Sequence, residues 1–419
     1  MTQIIELLDS LPGTGKTHAI TRYMADNRGN PWLYLSPLAS EVYGIDDNDQ
    51  GAVVAKAAEN NLLMYTPGED SDLSKTEQVL KYLQDGLDIA CTHNLMLRFT
   101  KEHIKAIKKH NYNVVCDETL DLLSAYNLEK DDYDFLKLHD LITICPENGR
   151  VSFKDVEMGN KARYADVKTL CDLGCLFAAP RSDRMLVTQL STDLLKECNR
   201  FILITYNYKG SLMDNFLSLH GFSNKRLEGI KTRFDNNEAK KKIENLLTIL
   251  ESRSVLKVQQ GSANKLSKSW WNNSNSETKD EIFKVINSCI KTSKVCGKEE
   301  YIFTCPKDVI TPKTTRGYKP KSTHASKDSW IACNCRATNE YSKAKLAIQA
   351  YNLFPNVSVV AYLQDMDCKV DSENYALNML IQWVWRGCIR NAEPMTVAFL
   401  SKRMSTIFKE WLTRVDLPT

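Results

Sequence analysis

Short apolar runs alternate along the first half of the chain with stretches whose apolar residues return every three or four positions, the signatures of strands and amphipathic helices. Residues 4–8 form such a run, and Ala19, Ile20, Tyr23 and Met24 follow it at helical spacing. The pattern then predicts a buried strand over 32–36, a short strand over 61–65, a helix over 74–83 and an apolar strand over 88–93 with a polar end. A helix is expected from Asn94, Lys-rich by 101–109, and then a strand over 113–119 that stops abruptly at Asp117 and Glu118. Residues 141–144 and 151–153 read as a hairpin turning at 146–149, and 200–207 as another buried strand ending in polar groups. Polar chemistry thus collects at the carboxyl ends of strands, as expected of a parallel α/β sheet that binds a nucleotide along that edge. Residues 121–184 are less regular, carry an acidic patch at Asp131, Asp132 and Asp134, and read as an insertion in the first domain.

Apolar content drops between Gly221 and Asn236, which sets the expected domains at 1–225 and 226–419. The second half repeats the alternation. Strands are expected at 254–258, 301–304, 330–332 and 357–363, and helices at 279–290 and from Tyr341. Residues 306–326 form a basic loop with three prolines. A last helix runs from Glu373 towards Arg390, capped by Asp371 or Ser372. On it Gln382, Arg386 and Arg390 stand at i, i+4 and i+8, within roughly 80° of one another at about 100° per residue, and so share one face. Trp383 and Trp385 read as packing residues rather than base-stacking platforms.

At 419 residues the chain is natural for two domains of about 200 each. No run of about 18 uncharged apolar residues occurs, and Met1 leads straight into the first strand, so a cytoplasmic protein with no membrane partner is expected. The 13 cysteines include no C-x2-C pair and several sit inside strand-like runs. Buried, reduced thiols fit that distribution better than zinc sites or disulfides. Charge divides unevenly: residues 1–225 carry 24 Lys and Arg against 32 Asp and Glu, and residues 226–419 carry 31 against 20. A basic second half suits a polyanion partner and equally a solvated Lys-rich face. Its densest stretch, 291–327, holds nine basic residues and three acidic.

The candidate chemistry begins at Ser10-Leu11-Pro12-Gly13-Thr14-Gly15-Lys16-Thr17. This is a phosphate-binding pattern with Ser10 at the place of the first glycine. Backbone N–H groups of Pro12 to Thr17 (proline excepted) at a helix N-terminus would surround the phosphates of ATP, small residues permitting the close approach. Lys16 would add positive charge and the Thr17 hydroxyl would be a Mg²⁺ ligand. About a hundred residues on, Asp117 is the expected Mg²⁺ holder and Glu118 the group that takes a proton from attacking water. Arg386 or Arg390, with Gln382, would reach a γ-phosphate as an arginine finger.

These motifs, in this order, resemble those of superfamily 2 helicases of DEAD/DEAH type, and particularly a divergent bacteriophage class. The phage-type marks are residues 333–341, 382–390 and Ser401-Lys402-Arg403-Met404. Residues 10–17 resemble motif I, 35–38 motif Ia, Thr92-His93 motif Ib and Asp117-Glu118 motif II. Thr205-Tyr206-Asn207 stands for the Ser/Thr-Ala-Thr of motif III, 334–339 with Arg336, Thr338 and Asn339 resembles motif V, and 382–390 motif VI. The chain departs from the family at Ser10, Tyr206, Asn207 and Asn339, and its second motif VI arginine lies at +8 from the glutamine instead of +7.

The resemblance implies two RecA-like parallel-sheet domains with the nucleotide site in the cleft between them, ATP and Mg²⁺ as cofactors, and single-stranded nucleic acid gripped through its phosphates. Thr92, His93, Thr205, Asn207, Arg336, Thr338 and Asn339 are then the nucleic-acid and coupling residues. DNA is expected before RNA, replication or recombination proteins are the expected partners, and a phage-encoded chain would work in the host bacterial cytoplasm. Two other readings stay open on the sequence: a P-loop ATPase of another class, and a nucleic-acid-binding scaffold with a degenerate ATPase site.

Overall fold

The computed structural model describes residues 3–44, 51–69, 72–156, 159, 162–295, 297–311, 325, 327–334 and 341–415. The chain divides into two compact units. The first comprises Met1–Asp9, Thr17–Lys231 and Pro355–Asp371; the second comprises Ser10–Lys16, Thr232–Phe354 and Ser372–Thr419.

The first unit is built on a six-stranded sheet. In chain order its strands are β1 (Gln3–Asp9), β2 (Trp32–Ser36), β3 (Ile89–Thr92) and β4 (Asn113–Asp117); five strands of the insertion intervene, β5 (Leu123–Tyr126), β6 (Ile142–Ile144), β7 (Val151–Phe153), β8 (Leu176–Ala179) and β9 (Ser182–Gln189); then come β10 (Arg200–Thr205) and β11 (Phe222–Arg226). The sheet order is β11-β1-β10-β4-β2-β3, and every pairing is parallel. Both faces are covered along β10, β4, β2 and β3, which is why these strands read as apolar runs; the edge strand β11, exposed beyond Phe222, does not. Val114 and Cys116 pack on one side with Val79, Leu83, Ile107 and Phe216. Val115 points the other way, with Ile20, Met24, Val53 and Ala57.

The insertion folds as an antiparallel sheet, β5-β9-β8, beside the expected hairpin β6-β7. It has a small core of its own around Tyr133, Leu136, Val151, Val167 and Leu176. The helix Val357–Asp365 packs on it: Tyr362 meets Phe177 edge-on with ring centroids 6.0 Å apart, and Arg181 N donates to Asp365 Oδ2 at 2.7 Å.

The second unit carries a four-stranded parallel sheet of β12 (Leu247–Ile249), β13 (Tyr301–Thr304), β14 (Leu346–Gln349) and β15 (Met395–Phe399), in the order β12-β15-β14-β13. Its core joins Phe303, Ile348 and Ala398 to Val255, Trp271, Phe283 and Ile286 of the flanking helices. The expected pair of parallel-sheet α/β domains is therefore present.

Several local expectations are corrected. Residues 254–258 and 357–363 are not strands but lie in the helices Arg253–Gln259 and Val357–Asp365. Ser252 caps the first by accepting from Val255 N, and Asn356 caps the second by accepting from Ser358 N at 2.9 Å. Their buried residues, Val255 with Val258 and Val359 with Tyr362 and Leu363, fall at i, i+3 and i+4, a spacing that short apolar runs hide. No helix follows Tyr341; β14 does, buried along its length as a central strand must be. Residues 61–65 and 330–332 supply only single bridges, Tyr65 to Ile89 and Trp330 to Phe303. The helix from Asn94 is two, His93–Met96 and Lys101–Lys109. The described cysteines are free, among them buried Cys91, whose thiol burial pushes up to about 12. Among the described residues no helix is long and apolar enough to cross a membrane.

Candidate active site

Parallel register brings three strand ends together in the first unit. Asp9 of β1 pairs with Thr205 of β10, and Ile204 of β10 with Asp117 of β4. Asp117 is buried and its Oδ2 accepts from Tyr34 Oη at 2.7 Å. Burial first, then the Asp117 charge, pushes the Tyr34 hydroxyl far above its usual value, so it stays a donor to the carboxylate.

Glu118, one residue beyond β4, has φ +64°, and Asn207, two beyond β10, has φ +61°. Left-handed backbone at a non-glycine residue costs on the order of 1 kcal/mol and concentrates at functional sites. Both conformations are held by hydrogen bonds. Glu118 N donates to Ile204 O at 2.8 Å, and Thr205 Oγ1 donates to Glu118 Oε2 at 3.3 Å. The amides of Asn207 and Tyr208 donate to Asp9 Oδ1 and Oδ2 at 2.6 and 2.9 Å.

Thr92 and His93 have structural partners. Thr92 Oγ1 accepts from Leu95 N at 3.3 Å, and buried His93 sets Nε2 3.6 Å from Cys116 Sγ.

The loop Ser10–Lys16, counted with the second unit, turns through Gly13 at φ +80° and Gly15 at φ +87°. Glycine alone adopts such angles freely. Lys16 opens the helix Lys16–Asp26, is buried, and donates from Nζ to Ser10 O at 2.8 Å. The Thr14 side chain is also buried and donates to Leu11 O at 2.7 Å. Ser10 Oγ lies 2.9 Å from Thr14 Oγ1 and 3.4 Å from Asn236 Oδ1, which itself accepts from Leu11 N at 2.8 Å. Arg233 N donates to Thr14 O at 2.9 Å. Over Gly13 sits Trp385: a Cβ added there would stand 2.6 Å from the indole Cζ2. Pro12 is half-buried, and Thr17 is half-buried on the helix's first turn.

The expected helical face of Gln382, Arg386 and Arg390 does not form. The helix Ser372–Val384 ends before Arg386, and Arg390 is exposed in the 3-10 turn Cys388–Asn391. The cause is Gly387, where a Cβ would lie 2.3 Å from Met395 Cε and 2.9 Å from Ala344 O. The chain must leave the helical path to pass that close to the sheet. Gln382 is buried and donates Nε2 to Asn378 Oδ1 at 3.2 Å, Trp383 is buried as a packing residue, and Arg386 is half-buried. Arg336, Thr338, Asn339 and most of the basic 306–326 loop lie outside the described residues.

Sequence reasoning missed Asp9 and Tyr34 at the strand ends of the first unit, and Asn236 beside the loop counted with the second. Asp9 alone carried a signal, as a strand-terminal carboxylate immediately before the loop; Tyr34 and Asn236 are brought in by sheet order and by a segment more than 220 residues away. Among the described residues no group of three or more His, Cys, Asp or Glu could hold a metal ion.

Residues 241–412 match the family model described as the YonV C-terminal Rossmann-like domain, which coincides with the parallel sheet of the second unit. The chain is similar, at 25% identity over 434 aligned positions, to the SPbeta prophage-derived uncharacterized protein YonV of Bacillus subtilis (strain 168), with 97% of this chain and 98% of that protein covered. Among solved structures it is similar to S. tokodaii Xpd4, at 11% identity and a TM-score of 0.42, over 99% of this chain and 95% of that one.

Proposed function

We propose that the protein is an ATP-dependent nucleic-acid translocase or helicase, acting on DNA in phage replication, recombination or repair. The observation that carries this reading is the parallel register of β1, β10 and β4, whose ends are Asp9 with the glycine-bearing loop next in the chain, Thr205 with Asn207, and Asp117 with Glu118. Nucleotides bind at the carboxyl edge of such sheets, and the two left-handed residues at that edge support a site built under strain. The basic composition of residues 226–419 suits a polyanion. The prophage origin of the relative fits a phage setting.

The residues present suit the cofactors. The Thr17 hydroxyl and the Asp117 carboxylate are hard oxygen donors of the kind Mg²⁺ takes, and the loop's glycines leave N–H groups at a helix N-terminus. ATP with Mg²⁺, when bound, supplies the bond to be broken and a cation that offsets charge on its phosphate oxygens. Lys16, which donates to the Ser10 carbonyl, would neutralise phosphate charge, Tyr34 holds Asp117 in place, and Glu118 would accept the proton of the attacking water. Arg386 or Arg390, beyond the end of the helix, would supply the finger charge, and Gln382 is the third residue assigned to this motif. Thr92, His93, Thr205, Asn207, Arg336, Thr338 and Asn339 bind nucleic acid or couple it to turnover.

The test is ATP turnover with single-stranded DNA, duplex DNA and RNA. Single-stranded DNA is expected to raise turnover, and Lys16→Ala or Glu118→Gln to abolish it. Equal background turnover with and without every nucleic acid overturns the reading.

A further inference from the structure

We propose that Asp9 is a positioning residue that ties the start of the phosphate loop to the loop after β10, and through it to Glu118. The inference rests on the reading above, that turnover of ATP is stimulated by nucleic acid.

Asp9 is the last residue of β1 and the direct neighbour of Ser10. Its two carboxylate oxygens take the amides of two consecutive residues, Asn207 at 2.6 Å and Tyr208 at 2.9 Å. Two charge-assisted bonds from one planar group fix both the distance and the orientation of the loop they hold. That loop needs holding, because Asn207 sits at φ +61°. Asparagine tolerates this conformation better than most side chains.

From Asn207 the connection runs back two residues to Thr205, which is fully buried and donates to Glu118 Oε2 at 3.3 Å. Glu118 N in turn donates to Ile204 O at 2.8 Å. A displacement at the end of β1 is thereby passed across two strand junctions to the carboxylate assigned to the water. No apolar packing could do this as specifically, since each link is a directional bond between neighbouring strand ends in one rigid sheet.

Asp9→Asn tests the proposal, because one acceptor oxygen becomes an NH₂ group that cannot accept from an amide. Four quantities are compared with wild type: KM for ATP, kcat without nucleic acid, kcat with saturating single-stranded oligonucleotide, and hydrogen exchange at the Asn207 and Tyr208 amides. The expected result is KM within about twofold, a stimulated-to-unstimulated kcat ratio lowered at least about tenfold, and faster exchange at both amides. Thr205→Val, which removes the next link, is expected to lower the same ratio. An unchanged ratio in Asp9→Asn, or equal loss of both kcat values together with a raised KM, overturns the proposal and assigns Asp9 a purely structural part. A wild-type protein that nucleic acid fails to stimulate overturns the parent reading instead, and the coupling role with it.

Discussion

Ser10→Gly would restore the common phosphate-loop pattern, and the geometry argues that it weakens the loop. The single hydroxyl proton of Thr14 is committed to Leu11 O at 2.7 Å, so the Ser10 hydroxyl has two acceptors for its one proton, Thr14 Oγ1 at 2.9 Å and Asn236 Oδ1 at 3.4 Å. Ser10 is 5% exposed and Thr14 0%, so water does not readily replace the lost partner. Deleting one such neutral hydrogen bond costs about 1 kcal/mol. Glycine's extra freedom in the opened chain adds about 0.4–1 kcal/mol. The sum, roughly 1.5–2 kcal/mol, corresponds to an approximately 10- to 30-fold shift towards the open loop. Hydrogen exchange at the Leu11 and Thr14 amides reads this directly, since both are bonded within the closed arrangement. Ser10→Ala isolates the hydrogen bond and is expected to accelerate exchange about fivefold; Ser10→Gly is expected to exceed it. Affinity for a fluorescent ATP analogue, measured alongside, should fall or stay level in the glycine variant. Wild-type exchange rates in Ser10→Gly, or tighter nucleotide binding, would refute the reasoning.

Three further substitutions probe the same framework. Tyr34→Phe removes a buried donor to Asp117 and is expected to cost about 1.5–3 kcal/mol, seen as a lower thermal midpoint and a higher Mg²⁺ requirement; an unaltered Mg²⁺ requirement would refute the metal-ligand role proposed for Asp117 or its support by Tyr34. Gly13→Ala meets two costs, about 1–2 kcal/mol for the left-handed backbone and about 1–3 kcal/mol for the clash with Trp385. Adding Trp385→Ala should recover only part of the lost nucleotide affinity, and complete or absent recovery would each discard one of the two terms. Glu6 accepts two bonds from Arg200, both at 2.8 Å, and chiefly these hold its carboxyl below the usual range. A depressed folded pKa stabilises above the unfolded value of about 4.3 and ceases to do so as pH falls through the folded one. Glu6→Gln should therefore cost about 2 kcal/mol at neutral pH, with the gap to wild type closing below about pH 4; a gap independent of pH would show that charge plays no part.

The inner strands of the first sheet were legible in the sequence because both of their faces are buried, whereas the exposed edge strand β11, at the expected domain boundary, was not. Such strands appear as short unbroken apolar runs, and β2, β4 and β10 fall where those runs lie. The glycine-bearing loop and the Asp117-Glu118 pair were legible for a different reason: their chemistry is local, set by residue types a few positions apart. Where a short, largely apolar segment could serve either period, as at 254–258 and 357–363, the choice of helix was made by caps and by the surface each segment packs against. The end of the last long helix was decided by what Gly387 must pass, Met395 and Ala344, neither of which is its neighbour in sequence. Asp9 and Tyr34 acquire their roles only through strand order, which sets β10 beside β1 and β2 beside β4. Local pattern and motif chemistry thus determined most of the strand-and-loop framework and the candidate groups at its strand ends. Only long-range register and close packing decided which side chains hold those groups, because a hydrogen bond across a sheet depends on which strands are neighbours and leaves no trace in the spacing along either one.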